Sequence, residues 1–294
     1  MSFVDRQRLS PVVFAVVCLA VIFVLYQIIA GSITFLLMGT AKVTRDNVTA
    51  IRSLTMVGQI VFILIPTIIL ARMLTRRTSE VFPMRIPSLP ENVYAIAGLL
   101  FLQQLFQIYL FFQDMIPLPV ELERFVTEFK HTIEGMFRTI VSAETAPELI
   151  FVMTVVAFVP GIVEELFFRG LIQESFAKRM KPLQAAIVAG IVFGLYHFNP
   201  FSVVPLMGLG CYFGILRFRS RSIVMPITAH FVNNALAVLV VYFSMDDEMI
   251  LGADKNGNQE MGIVLVQFVV YGLLFFAAFM AYLRTSARRV EMES

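Results

Sequence analysis

The feature that most constrains this chain is a succession of long apolar runs. A helix needs about 20 mostly apolar residues to cross a bilayer. Eight segments approach or exceed that length: 11–38, 53–74, 93–112, 149–176, 183–198, 201–216, 222–243 and 261–283. The fifth and sixth are short and meet at His197-Phe198-Asn199-Pro200, a turn signal between two apolar runs, so they read as a tight helical hairpin. Composition agrees, with 58% hydrophobic and 15% charged residues against about 45–50% and about 25% in soluble domains. The reading is an all-α polytopic membrane protein of about eight transmembrane helices, a single transmembrane domain over 1–294. Cys18 and Cys211 both sit in apolar runs and read as small hydrophobes.

With the N-terminus inside and eight crossings, Lys and Arg favour the cytoplasmic segments about two to one. That places both termini in the cytoplasm and points to the cell membrane. One outer loop is not plain linker. Between about 119 and 141, Leu122, Phe125, Val126, Phe129, Ile133, Met136, Phe137 and Ile140 follow the i, i+3, i+4 spacing of one helix face, with charges opposite. This predicts an interfacial amphipathic helix lying on the lipid bilayer, with His131 on its solvated side. Thr145-Ala-Pro-Glu148 predicts a capping box opening the next span. No basic cluster is dense enough for nucleic acid.

Ionisable groups inside a span cost roughly 2.5–3.5 kcal/mol each, so each one is a functional-site hypothesis. Three spans carry them. The fourth holds Pro160-Gly161, then Glu164, Glu165 and Arg169. Glu165 and Arg169 stand four apart on one helix face and can pair, whereas Glu164 points about 100° away with no local cation. Pro160-Gly161 weakens the helix beside it and gives water a route to Glu164. The fifth span ends at His197, and the seventh holds His230 and Asn234 on one face; Asn233 reads as packing. Counted from the cytoplasmic ends of their spans at 1.5 Å per residue, Glu164 lies about 18 Å deep, His197 about 21 Å and His230 about 14 Å.

Two chemistries suit this set. In the first, Glu164 is a general base on a water, assisted by His197, while His230 and Asn234 donate hydrogen bonds to the developing oxyanion. In the second, Glu164, His197 and His230 hold a divalent metal such as zinc that activates the water. Two further readings use the same residues without proteolysis: an ion relay in a transporter, or a membrane scaffold or immunity-type protein.

The ordered series Glu164-Glu165-x-x-x-Arg169, Phe193-x-x-x-His197 and His230-x-x-x-Asn234, each on its own span, resembles the CPBP family. This is the CAAX-protease and bacteriocin-processing (Abi) group, which includes the CAAX prenyl endopeptidase of eukaryotes. The resemblance implies an intramembrane endopeptidase of eight helices with a catalytic core over about 149–243. Glu164, His197, His230 and Asn234 would then be catalytic, with Glu165 and Arg169 in support. It also implies a peptide or protein substrate in or at the membrane. We favour the glutamate chemistry, with no cofactor required, because Asn234 beside His230 makes better sense as an oxyanion donor than as part of a ligand set.

Overall fold

The computed structural model describes residues 3–244 and 261–293. Among these, the chain is helical with no strand. Apart from the one-turn pieces Phe3–Arg6 and Thr78–Val81, nine helices form the fold. They are α1 (Pro11–Met38), α2 (Val48–Leu74), α3 (Leu89–Asp114), α4 (Val120–Val141), α5 (Ala146–Ala177), α6 (Pro182–Tyr196), α7 (Val203–Ser220), α8 (Val224–Tyr242) and α9 (Met261–Glu293). Six of them, α1, α2, α3, α5, α8 and the stretch Met261–Ala287 of α9, are long and apolar enough to cross a membrane. Large apolar side chains remain on the outside, Leu36 at 78% exposure and Phe276 at 62% among them. A surface of that kind needs lipid or protein against it.

Helices α6 and α7 form the hairpin foreseen from the turn signal. At 15 residues, α6 spans only about 22 Å, less than a hydrocarbon core. The two helices approach until their backbones touch: a Cβ at Gly190 would strike the Gly210–Cys211 backbone, and one at Gly210 would strike the Gly190 carbonyl. Only glycine permits this contact.

Helix α5 lies at the centre, with 39% of its apolar window buried against 11% in α9. It packs on α8, α6, α2 and α1, while α3 pairs with α9. Its backbone widens to i→i+5 turns over Met153–Phe158 and again over Leu166–Ile172. The ordinary α-helical turn between them, Val159–Glu165, carries both glutamates. Gly161 brings α5 close to α8, where an added Cβ would sit 3.3 Å from the Phe231 nitrogen.

The amphipathic helix expected over 119–141 is α4, which is largely exposed, with His131 solvated at 75%. Its C-terminal end is tied down by the buried Arg52 of α2. That side chain donates to the carbonyls of Thr139, Ile140 and Ser142 and pairs with Glu148 at 2.9 Å. The cap of α5 forms half as expected. Thr145 Oγ1 accepts from the Glu148 amide, but the Glu148 carboxylate reaches past Thr145 to the Glu144 amide at 2.8 Å, where Arg52 can also meet it.

Candidate active site

Glu164 and Glu165 diverge around α5 into two environments. Glu165 is fully buried, and its Oε1 accepts from Arg169 Nη1 at 2.9 Å and from His230 Nδ1 at 2.8 Å. The i, i+4 pair foreseen with Arg169 is therefore present, and it extends to α8. Arg169, also fully buried, donates through Nη2 to the Gly210 carbonyl at 3.0 Å. Its guanidinium carbon lies 4.3 Å from the centre of the Phe193 ring and 5.4 Å from that of Phe213, a desolvated cation–π setting. The His230 ring stacks on Phe213 at 5.2 Å. An ionised carboxylate only accepts hydrogen bonds, so Nδ1 of His230 carries a proton and Nε2 is the nitrogen left over.

Glu164 is 20% exposed, yet its Oε2 is buried and has no hydrogen-bond partner. His197 Nε2 stands 3.8 Å from it, too far for a direct hydrogen bond. The end of α6 determines which nitrogen this is. The last turn tightens, with the His197 amide bonding to Gly194 O at 3.4 Å. The Phe193 carbonyl instead takes His197 Nδ1 at 2.8 Å. A carbonyl only accepts, so Nδ1 carries a proton, and in the neutral tautomer it is Nε2 whose lone pair faces Glu164. The helix then stops at Phe198, which adopts a left-handed φ of 51°, costing an L-residue about 1–2 kcal/mol. Its ring packs on Phe23 at 5.4 Å.

Phe193 joins the two halves. Its ring centre lies 4.5 Å from that of His197 and 5.9 Å from that of His230. Asn234 follows one turn after His230 on α8, and its place depends on Pro160. Proline has no N–H, so the helical bond from position 160 to the Val156 carbonyl is missing. Asn234 Nδ2 donates to that carbonyl at 3.0 Å. The structure thus brings Glu164, Glu165, Arg169, His197 and His230 into one cluster around Phe193, with Asn234 at its edge.

Asn233 departs from the packing role expected of it. Its Nδ2 donates to Asn234 Oδ1 at 3.0 Å, and its Oδ1 accepts a hydrogen bond from Gln103 Nε2 of α3. Two more polar residues went unforeseen. Gln59 on α2 is 6% exposed with its Oε1 unpartnered. The Tyr26 hydroxyl on α1 interacts with the Gln59 side chain and electrostatically with Glu164. A Gln and a Tyr inside apolar runs were visible signals, but local spacing cannot tie α1 and α2 to a helix 100 residues away.

The two acceptors suit a bridging water: one about 2.8 Å from both Glu164 Oε2 and His197 Nε2 would donate to each, and Oε2 is buried as the site stands, so the neighbouring side chains must part to admit it. Among the described residues, no group of three or more His, Cys, Asp and Glu side chains is arranged to hold a metal ion.

Compared with known proteins, residues 146–236 match the family model of type II CAAX prenyl endopeptidases, Rce1-like. No curated protein and no solved structure matches the chain. The matched segment runs from the first turn of α5 into α8 and contains every residue of the cluster. Together with the apolar helices, it makes this an integral, multi-pass membrane protein.

Proposed function

From the match of residues 146–236 to the type II CAAX prenyl endopeptidase model, we propose that the chain is an intramembrane endopeptidase of the CPBP/CAAX protease family in which Glu164 activates the attacking water. The observation that carries this reading is Glu164 Oε2, a buried acceptor without a partner facing the lone-pair nitrogen of His197. Glu165, by contrast, has one oxygen held by Arg169 and His230.

Glu164 takes a proton from the water as the hydroxyl oxygen attacks the scissile carbonyl carbon, while His197 orients the second O–H. The carbonyl oxygen gains the negative charge. Asn234 has one N–H committed to Val156 and one left to donate to that oxyanion. His230 Nε2, donating when the ring carries both protons, is the second donor, its ring held in place by the Nδ1 hydrogen bond to Glu165. The C–N bond then breaks, and the proton held by Glu164 passes to the departing amine. The products are a new carboxylate and a new amine.

The substrate class suggested by the family's name is a prenylated CAAX-type C-terminal peptide presented at the membrane. On the loop charges, both termini lie in the cytoplasm of the cell membrane. The test compares peptide termini in cells expressing wild type or Glu164→Gln at matched membrane levels. New ends found only with wild type are expected, and they would name the substrates. Identical ends, with the variant folded and inserted, would overturn the protease reading and favour a scaffold or a transporter.

A further inference from the structure

We infer that Gln103 and Asn233 are positioning residues, forming an amide relay that sets the orientation of Asn234 toward the reacting carbonyl. This rests on the endopeptidase reading and on Asn234 as oxyanion donor. The observations are three hydrogen bonds in series across three helices. Gln103 Nε2 of α3 donates to Asn233 Oδ1, Asn233 Nδ2 donates to Asn234 Oδ1, and Asn234 Nδ2 donates to Val156 O of α5.

The series has a direction, and the direction has a consequence. A primary amide can flip by 180°, exchanging its donor and acceptor ends. Asn234 cannot do so here. A flip would place its NH2 against the NH2 of Asn233 and its oxygen against the Val156 carbonyl, giving two clashes of like polarity. Asn233 is prevented from flipping in turn, because its oxygen is held by Gln103. The relay terminates on the Val156 carbonyl, in the widened turn of α5 just before Pro160, so its anchor is built into that helix. Interhelical adhesion alone needs a single hydrogen bond. Three amides aligned in one sense leave Asn234 with a single uncommitted N–H in a defined place, as an oxyanion donor requires.

The experiment is a set of mutant cycles on the full-length protein in liposomes, with a fluorogenic farnesylated CAAX peptide as substrate. Gln103→Met keeps the length and removes the donor. Asn233→Asp keeps the shape and removes the donor to Asn234. Each is expected to lower kcat by about 10- to 100-fold, the scale of a misplaced catalytic group, with KM little changed. In an Asn234→Ala background each is expected to have almost no further effect, because the oriented group is gone. Gln103→Glu, which can donate only when protonated, should regain activity relative to the wild type at the same pH as pH falls.

Wild-type kcat in Gln103→Met, or a loss of the same size in the Asn234→Ala background, would overturn the relay. If Gln103→Met fails to fold, Asn233→Asp decides by the same criteria. Full activity in Asn234→Ala would instead remove the oxyanion role that the inference rests on. No cleavage by the wild type would remove the endopeptidase reading and the relay with it.

Discussion

Two adjacent carboxylates divide this site into regions of opposite character. Around Glu165 the protein has matched its charges: Arg169 and His230 meet one oxygen, two aromatic rings cover the guanidinium, and nothing in the group is exposed. Glu164 has no cation on either oxygen, the His197 nitrogen stands 3.8 Å away, and the side chain is 20% exposed, whereas Glu165 keeps only its second oxygen without a partner. The first arrangement holds helices in place and the second leaves a carboxylate uncommitted. Matching every group would make a rigid core without chemistry, and leaving every group unmatched would be too costly inside a membrane.

The comparison can be broken most sharply by exchanging the two charges one at a time. Glu165→Gln strands Arg169 as a buried charge, and loss of one partner in a buried pair costs about 3–5 kcal/mol. Unfolding in detergent should show that loss, whereas Glu164→Gln should keep the wild-type midpoint while losing cleavage. Equal shifts for both would show that the division is wrong. A smaller effect is expected at Pro160. Alanine there restores an N–H that competes with Asn234 for the Val156 carbonyl, so turnover of the farnesylated peptide should fall about tenfold while the protein becomes more stable. Unchanged turnover would mean that the Val156 carbonyl does not position Asn234. The smallest effect is expected from Arg45→Ala. Arg45 pairs with Glu144 and Glu148 on the surface, its own side chain 41% exposed, and such pairs contribute about 0–1 kcal/mol. Neither stability nor cleavage should change measurably, in contrast to Glu165.

Much of this arrangement was legible in the residues. The interval of four between Glu165 and Arg169 appears as a 2.9 Å contact, because i, i+4 neighbours meet on any helix. Apolar length places the first span at 11–38, and the helix is Pro11–Met38; periodicity places the amphipathic helix at about 119–141, and it is Val120–Val141. Periodicity and length govern such features, and both are local. The lone condition of Glu164 was also visible, since no cation lies within one turn of it on the same face.

Other features were settled by the packing. His230 and Asn234 share a face of α8, yet His230 turns to Glu165 while Asn234 binds a backbone carbonyl. Asn233, which reads as packing, and Gln103, on a helix outside the matched segment, join the same network only because α3 and α8 lie side by side. The sequence by itself determined the kind of helices, the i, i+4 ion pair and a core set of polar residues that stand on three of them. The tertiary structure alone decided which of those residues meet. Helix rotation and crossing depend on how closely backbones approach, as at Gly190 and Gly210, and that distance is a property of two surfaces rather than of either sequence segment.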